Sequence, residues 1–179
     1  MADPCPECGF SYEGLEPAAA PEALRGFGRR YRAPLTRLLK GEEDRVLRTR
    51  PEPGVWSALE YACHVRDVFT VYRERVVLVL AEDEPVLQSM GRDERPARDR
   101  YNEQDPAVVT DELAAAAERL AADLDAVDTA GWQRAGIHPY PEPAPRSLAW
   151  MAANVVHEGN HHLLDIGRVL RTVRERSRS

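Results

Sequence analysis

The stretch VVHEGNHHLLDIGR, residues 155–168, carries three of the chain's five histidines within six positions. Residues four apart share one face of an α-helix, so His157 and His161 point the same way, with Asp165 and Arg168 a further turn or so along. H-x-x-x-H is the spacing at which two imidazoles reach one metal ion. It is equally the spacing of two hydrogen-bonded histidines facing water. His162, turned about 100° from His161, is expected to stay outside the pair as a rim residue reaching back to Glu158.

A third imidazole favours a metal. His64, in SALEYACHVRDVF, shares a helical side with Tyr61, Val68 and Val71, and a histidine among apolar neighbours is costly unless its nitrogens find partners. Three neutral imidazoles leave a coordination position open, as catalytic metal sites do. By helical spacing the nearest polar residues are Asp67, Asp165 and Arg168. A carboxylate there can hold the second N–H of a ligating imidazole, and the guanidinium can hold an anionic substrate; surface ion pairs are the alternative for all three.

Of the three cysteines, Cys5 and Cys8 form a C-x-x-C beside Gly9, like half of a zinc knuckle, but no second C-x-x-C follows to complete four ligands. They read as reduced thiols on a terminal arm with few core contacts, a redox pair or a second metal site being the alternatives. Cys63 falls in an apolar helical run, where an inert buried thiol is expected.

Four amphipathic patterns must position these groups. Leu24, Phe27, Tyr31, Leu35 and Leu38 form the stripe of a first helix stopped by Gly41. Ser57 and Glu60 form a capping box that starts the second. Asp105 and Pro106 suit the N-cap and first position of the third, whose stripe runs through Val109, Leu113, Ala116, Leu120, Leu124 and Val127. The fourth spans about Ser147 to Arg174, with Glu60 in the second expected to act only as a cap. Four such helices bury their stripes against one another, which predicts an all-α four-helix bundle over residues 17–179 behind an arm of residues 1–16. The connections between helices two and three and between three and four are long; the first reads as a lid or as mobile chain, and the second brings Trp132, His138 and Tyr140 to a pocket or to one end of the core.

Length and charge narrow the functions. A chain of 179 residues builds one domain without staples, and a formal charge of -6 with dispersed basic residues argues against a nucleic-acid surface. No basic leader and no apolar run of membrane-spanning length is seen, so a cytoplasmic protein is expected, with a homodimer allowed.

WSALEYACHVRD followed after a long gap by HEGNHHLLDIGR, with RYNEQDP between them, resembles the DinB superfamily, which includes the YfiT-like metal proteins, the bacillithiol transferases and the mycothiol-dependent maleylpyruvate isomerases. The resemblance runs from the first helix to the fourth and implies a bundle with a divalent metal in a cleft at one end. It places the metal triad on His64, His157 and His161, with zinc the first choice and nickel or iron also accepted by imidazole. It also implies thiol chemistry: a small thiol ionised by the metal attacks an electrophilic small molecule. The Arg-rich, Lys-poor composition fits a GC-rich host, for which the thiol would be mycothiol. A metal-binding bundle without catalysis, acting in sensing, storage or stress, is the alternative, and a bundle whose histidines bind nothing is a third. The separate C-terminal domain of the isomerases is not expected after a fourth helix that ends near Ser179, so isomerase activity is not expected, and neither the CPECGFSY arm nor the charged stretch from Leu87 to Arg100 matches the family pattern.

Overall fold

The structure is a computed structural model that describes residues 4–140 and 142–177; residues 1–3 of the arm, Pro141 and the last two residues lie outside the described chain. The four expected helices are α1 (Ala20–Thr36), α3 (Ala58–Ala81), α5 (Pro106–Asp125) and α6 (Leu148–Arg176), with single-turn helices α2 (Arg45–Arg48) and α4 (Arg95–Arg98) in the connections.

The termination signals act as chemistry dictates. Ser57 Oγ accepts from the Glu60 N–H at 3.2 Å while the Glu60 carboxylate takes the Ser57 N–H at 2.9 Å, closing the capping box of α3. Glu60 also pairs with Arg50, so its role exceeds capping. Asp105 caps α5 through the N–H groups of Ala107 and Val108, and Ser147 caps α6 through that of Trp150. α1 ends at Thr36, two residues after Pro34, so Leu38 lies beyond the helix and is exposed; Gly41 takes its left-handed turn (φ +84°) still further on.

α1 packs on α5 and α6, and α3 packs on the same two, so the helices first and second in the sequence stand diagonally across the bundle. The stripes fill its interior, with Phe27 stacked on Phe69 at 5.6 Å. At Gly159 a Cβ would meet the Phe27 ring at 2.5 Å, and the Tyr31 hydroxyl donates to the Gly159 carbonyl at 2.7 Å. That close approach presses the middle of α6 onto α1.

The connections are more ordered than their composition suggests. Residues 135–138 (β1) and 144–147 (β2) form an antiparallel ribbon, with Gly136 opposite Arg146. Gly136 is needed there because a Cβ would meet Val79 at 2.9 Å and the Pro85 carbonyl at 3.1 Å. The charged connection from α3 to α5 is pinned to this ribbon: Leu87 N–H donates to the Ile137 carbonyl and Ile137 N–H to that of Pro85, while Leu87 and Tyr101 are buried. The arm is also docked: Phe10 and Leu15 pack on the core, and the Tyr12 ring stacks on Trp150 at 5.9 Å. Its expected scarcity of core contacts is not what the structure shows, because these apolar side chains find α6 beside them. Among the described residues no helix is long and apolar enough to cross a membrane.

Candidate metal centre

Two overlapping pairs lie in HEGNHH, His157 with His161 and Glu158 with His162, each four residues apart on α6. One step along a helix is about 100°, so the pairs face different neighbours. The contact with α1 at Gly159 and the packing against α3 turn Glu158 and His162 toward His64, and leave His157 and His161 facing the arm.

His64, Glu158 and His162 each offer a donor atom, all within 4.8 Å of one another. A single carboxylate oxygen, Glu158 Oε2, lies 3.7 Å from His64 Nε2 and 3.4 Å from His162 Nε2. His64 is 2% exposed, yet neither of its ring nitrogens has a hydrogen-bond partner. An orphaned buried imidazole is expensive, and an ion at this point would use the free lone pair. His162 Nδ1 donates to Asp165 Oδ2 at 2.9 Å, which fixes the tautomer that leaves Nε2 free to ligate. The donor set therefore fits a divalent metal.

Electrostatics agree with a site that binds cations. Burial lowers the pKa of His64 despite Glu158. Burial raises the Glu158 carboxyl, but the two imidazoles outweigh it and hold the group well below the usual carboxylate range. Burial likewise opposes the charge on His162, and Asp165 and Glu158 overcome it, so its pKa is raised.

The expected triad is not brought together: among the described residues His64 is grouped with Glu158 and His162, not with His157 and His161. His162 is no rim residue, being 5% exposed. The usable signal was the second i,i+4 pair, E-x-x-x-H, shifted by one residue from the first. Asp67 does not support an imidazole either; its carboxylate accepts instead from Tyr101 Oη at 2.6 Å, Arg66 Nε at 2.9 Å and Arg95 Nη1 at 3.1 Å. Asp165 does, but for His162. Arg168 pairs with Glu7 at 3.0 Å and with Asp165 at 3.4 Å on the outer side of α6, so it fastens the arm instead of holding a substrate. Cys5 and Cys8 are free thiols beside His157 and His161, and burial pushes the Cys63 thiol up to about 12, consistent with an inert group.

A cavity of about 310 Å³ opens beside His64, Glu158 and His157, with Tyr12 of the arm also on its wall. Val68, Met90 and Trp150 give it apolar walls, and Arg75, Arg92 and the expected loop residues His138 and Tyr140 give it polar ones. Arg75 donates to His138 Nε2 at 3.0 Å and to the Gln88 carbonyl at 2.9 Å, while its buried Nε has no partner. Trp132 instead packs against the core. A wider groove of about 760 Å³, near the C-terminal end of α6 between Arg45 and Arg174, contains none of these donors.

A sequence model of the DinB superfamily matches residues 29–166. The fold is similar to that of YfiT from Bacillus subtilis, described as a probable metal-dependent hydrolase with an unusual four-helix bundle topology: the TM-score is 0.78, with 96% of this chain and 94% of that chain covered at 18% identity. No curated protein sequence matches the chain.

Proposed function

The chain belongs to the DinB superfamily, and from that premise we propose that it is a divalent-metal-dependent enzyme that transfers a low-molecular-weight thiol to a small electrophile. The observation that carries this reading is His64: a buried imidazole with both nitrogens unpartnered, facing Glu158 and His162 at the edge of a cavity. His64, Glu158 and His162 would hold the ion, and three protein ligands leave a position for a reactant. Two imidazoles and a carboxylate accept zinc, iron or nickel; zinc is the first choice.

When bound, a divalent ion lowers the pKa of a coordinated thiol toward neutrality and so supplies a nucleophile. The chain's own residues set the rest. Asp165 keeps His162 in its ligating tautomer. Arg75 and Arg92 give the cavity positive charge, suited to a carboxylate on the thiol or on the electrophile, and Arg75 is braced for this by His138 and the Gln88 carbonyl. Val68, Met90 and Trp150 give the reactants an apolar wall to pack against. Mycothiol is the proposed thiol and the cytoplasm the proposed setting.

Consumption of a bimane electrophile with mycothiol, and with other small thiols, tests the reading in metal-loaded and chelated protein. The expected rate requires both metal and thiol, rises with pH and levels once the thiol is ionised, and falls to the metal-free value in His64→Leu. Hydrolysis of substrates without thiol would replace transfer by the activity ascribed to YfiT. A bound metal with no turnover across the panel would leave the non-catalytic bundle.

A further inference from the structure

We propose that the chain holds a second metal ion, a four-coordinate zinc bound by Cys5, Cys8, His157 and His161, which fastens the N-terminal arm to α6. This site shares no ligand with the one at His64. It joins residues inside the family-matched region to two cysteines that precede it.

The four residues each place a donor atom within 4.8 Å of the others. Two come from a preformed turn: in CPECG, Gly9 adopts φ +72°, its N–H donates to the Cys5 carbonyl at 2.8 Å, and Cys5 N–H donates to the Phe10 carbonyl at 2.8 Å. A side chain at Gly9 would strain this left-handed backbone. The other two come from one face of α6, four residues apart. Cys5 Sγ lies 3.6 Å from His161 Nδ1. With Zn–S of about 2.3 Å and Zn–N of about 2.0 Å, the sulfur-to-nitrogen edge of a tetrahedral site is about 3.5 Å, so these two atoms already stand at ligand separation.

The imidazoles are set for ligation by what their other nitrogens do. Asn154 donates its amide to the Tyr72 hydroxyl, so its oxygen accepts from the Tyr12 hydroxyl at 2.7 Å. Tyr12 has spent its proton, so it accepts from His157 Nδ1 at 3.0 Å. The proton of His157 is thereby placed on Nδ1, and Nε2 is left as a lone pair that is buried without a partner. At His161 the nitrogen facing away from Cys5 lies 3.6 Å from Asp165 Oδ2. Two thiols and two neutral imidazoles complete four ligands and leave no open position, which is the pattern of a structural site, and thiolates favour zinc over harder ions. On binding, the two thiol protons pass to solvent.

Cobalt(II) titration of the metal-free protein tests this, because the centre at His64 has no sulfur ligand. One equivalent should develop a thiolate-to-cobalt charge-transfer band with intense tetrahedral visible bands. His64→Leu should keep that signature, and Cys8→Ser and the double variant His157→Gln/His161→Gln should lose it. In the unaltered protein, titrating the thiols with a mercurial should release one zinc to a chromophoric chelator, a measurement that does not depend on any variant folding. Absence of the charge-transfer band, release of no zinc, or a band fully kept in the double histidine variant would overturn the proposal. Loss of the metal at His64 with the sulfur signature intact would instead count against the proposed function alone.

Discussion

Two faces of the same two turns of α6 carry contrasting donor sets. Glu158 and His162 meet His64 from a neighbouring helix beside a cavity; His157 and His161 meet two thiols from the arm, with the Phe10 and Tyr12 rings over His157 at 5.3 and 5.5 Å. The first set supplies three protein ligands of hard and intermediate character and borders open space. The second would supply four, half of them soft; its residues are half-buried, and His157 and Tyr12 line the same cavity from the side of the arm. A one-residue shift in the sequence therefore separates a three-donor set, which leaves a position for a reactant, from a four-donor set that completes its own coordination, and on the proposed reading turnover belongs to the first and stability to the second.

The largest expected effect follows from that division. Cys8→Ser should remove the arm's tether and weaken the Phe10 contact, the Tyr12–Trp150 stack and the Glu7–Arg168 ion pair with it. The expected drop in Tm by calorimetry is about 5–10 °C, or about 2–3 kcal/mol for a chain of this size. In chelated protein His64→Leu should stay within about 2 °C of the parent, since without an ion it replaces a buried imidazole lacking hydrogen-bond partners by an apolar group. Equal melting of Cys8→Ser and the zinc-loaded parent would remove the structural role of the thiol site.

The residue shared by both faces sharpens the division further. Asp165 Oδ2 is at hydrogen-bond distance from His162 Nδ1, 2.9 Å, but only 3.6 Å from His161 Nε2. Asp165→Asn should weaken metal binding at the His64 centre by about 10–100-fold, as loss of a carboxylate behind a ligating imidazole does, and weaken the thiol site by less. Competition with chromophoric chelators, following the sulfur signature separately, checks the order; a greater loss at the thiol site would reverse the assignment of Asp165.

Much of the scaffold is written locally. The capping box at Ser57 and Glu60, the Asp105–Pro106 start and the Ser147 cap each depend on residues within one turn, and the buried stripes on a 3.6-residue period, so the four helices are readable from the chain alone. The i,i+4 histidines are readable too. Which of two overlapping pairs faces His64 is not, because it depends on how α6 rolls against α1 at Gly159 and against α3, tertiary contacts between residues far apart in the chain. The same holds for Cys5 and Cys8: no second C-x-x-C follows, and their partners come from α6, 156 positions from Cys5 to His161. The β1–β2 ribbon left little strand pattern because AGIH and APRS lack alternation and gain their place from Val79 and Pro85.

The smallest effect tests the finest distinction, whether the proton on His157 is held where the thiol site needs it. Tyr12→Phe removes one oxygen, which accepts from His157 Nδ1 and donates to Asn154 Oδ1, and a phenylalanine ring retains the stack on Trp150 and the edge contact with Phe10. The arm should therefore stay docked, with Tm nearly unchanged, while the imidazole loses the bond that selects its tautomer. A net hydrogen bond of about 1 kcal/mol corresponds to zinc held about fivefold less tightly, read by chelator competition at the sulfur-ligated site. Burial pushes the Tyr12 hydroxyl up to about 12, so it stays protonated and neutral through neutral and mildly alkaline pH. The ratio of parent to variant affinity should accordingly be flat over that range, even as the absolute affinity rises with thiol ionisation. An unchanged affinity would mean that Tyr12 lines the cavity and docks the arm without orienting His157; a loss shared equally by the His64 centre would mean that the two faces of α6 are not independent.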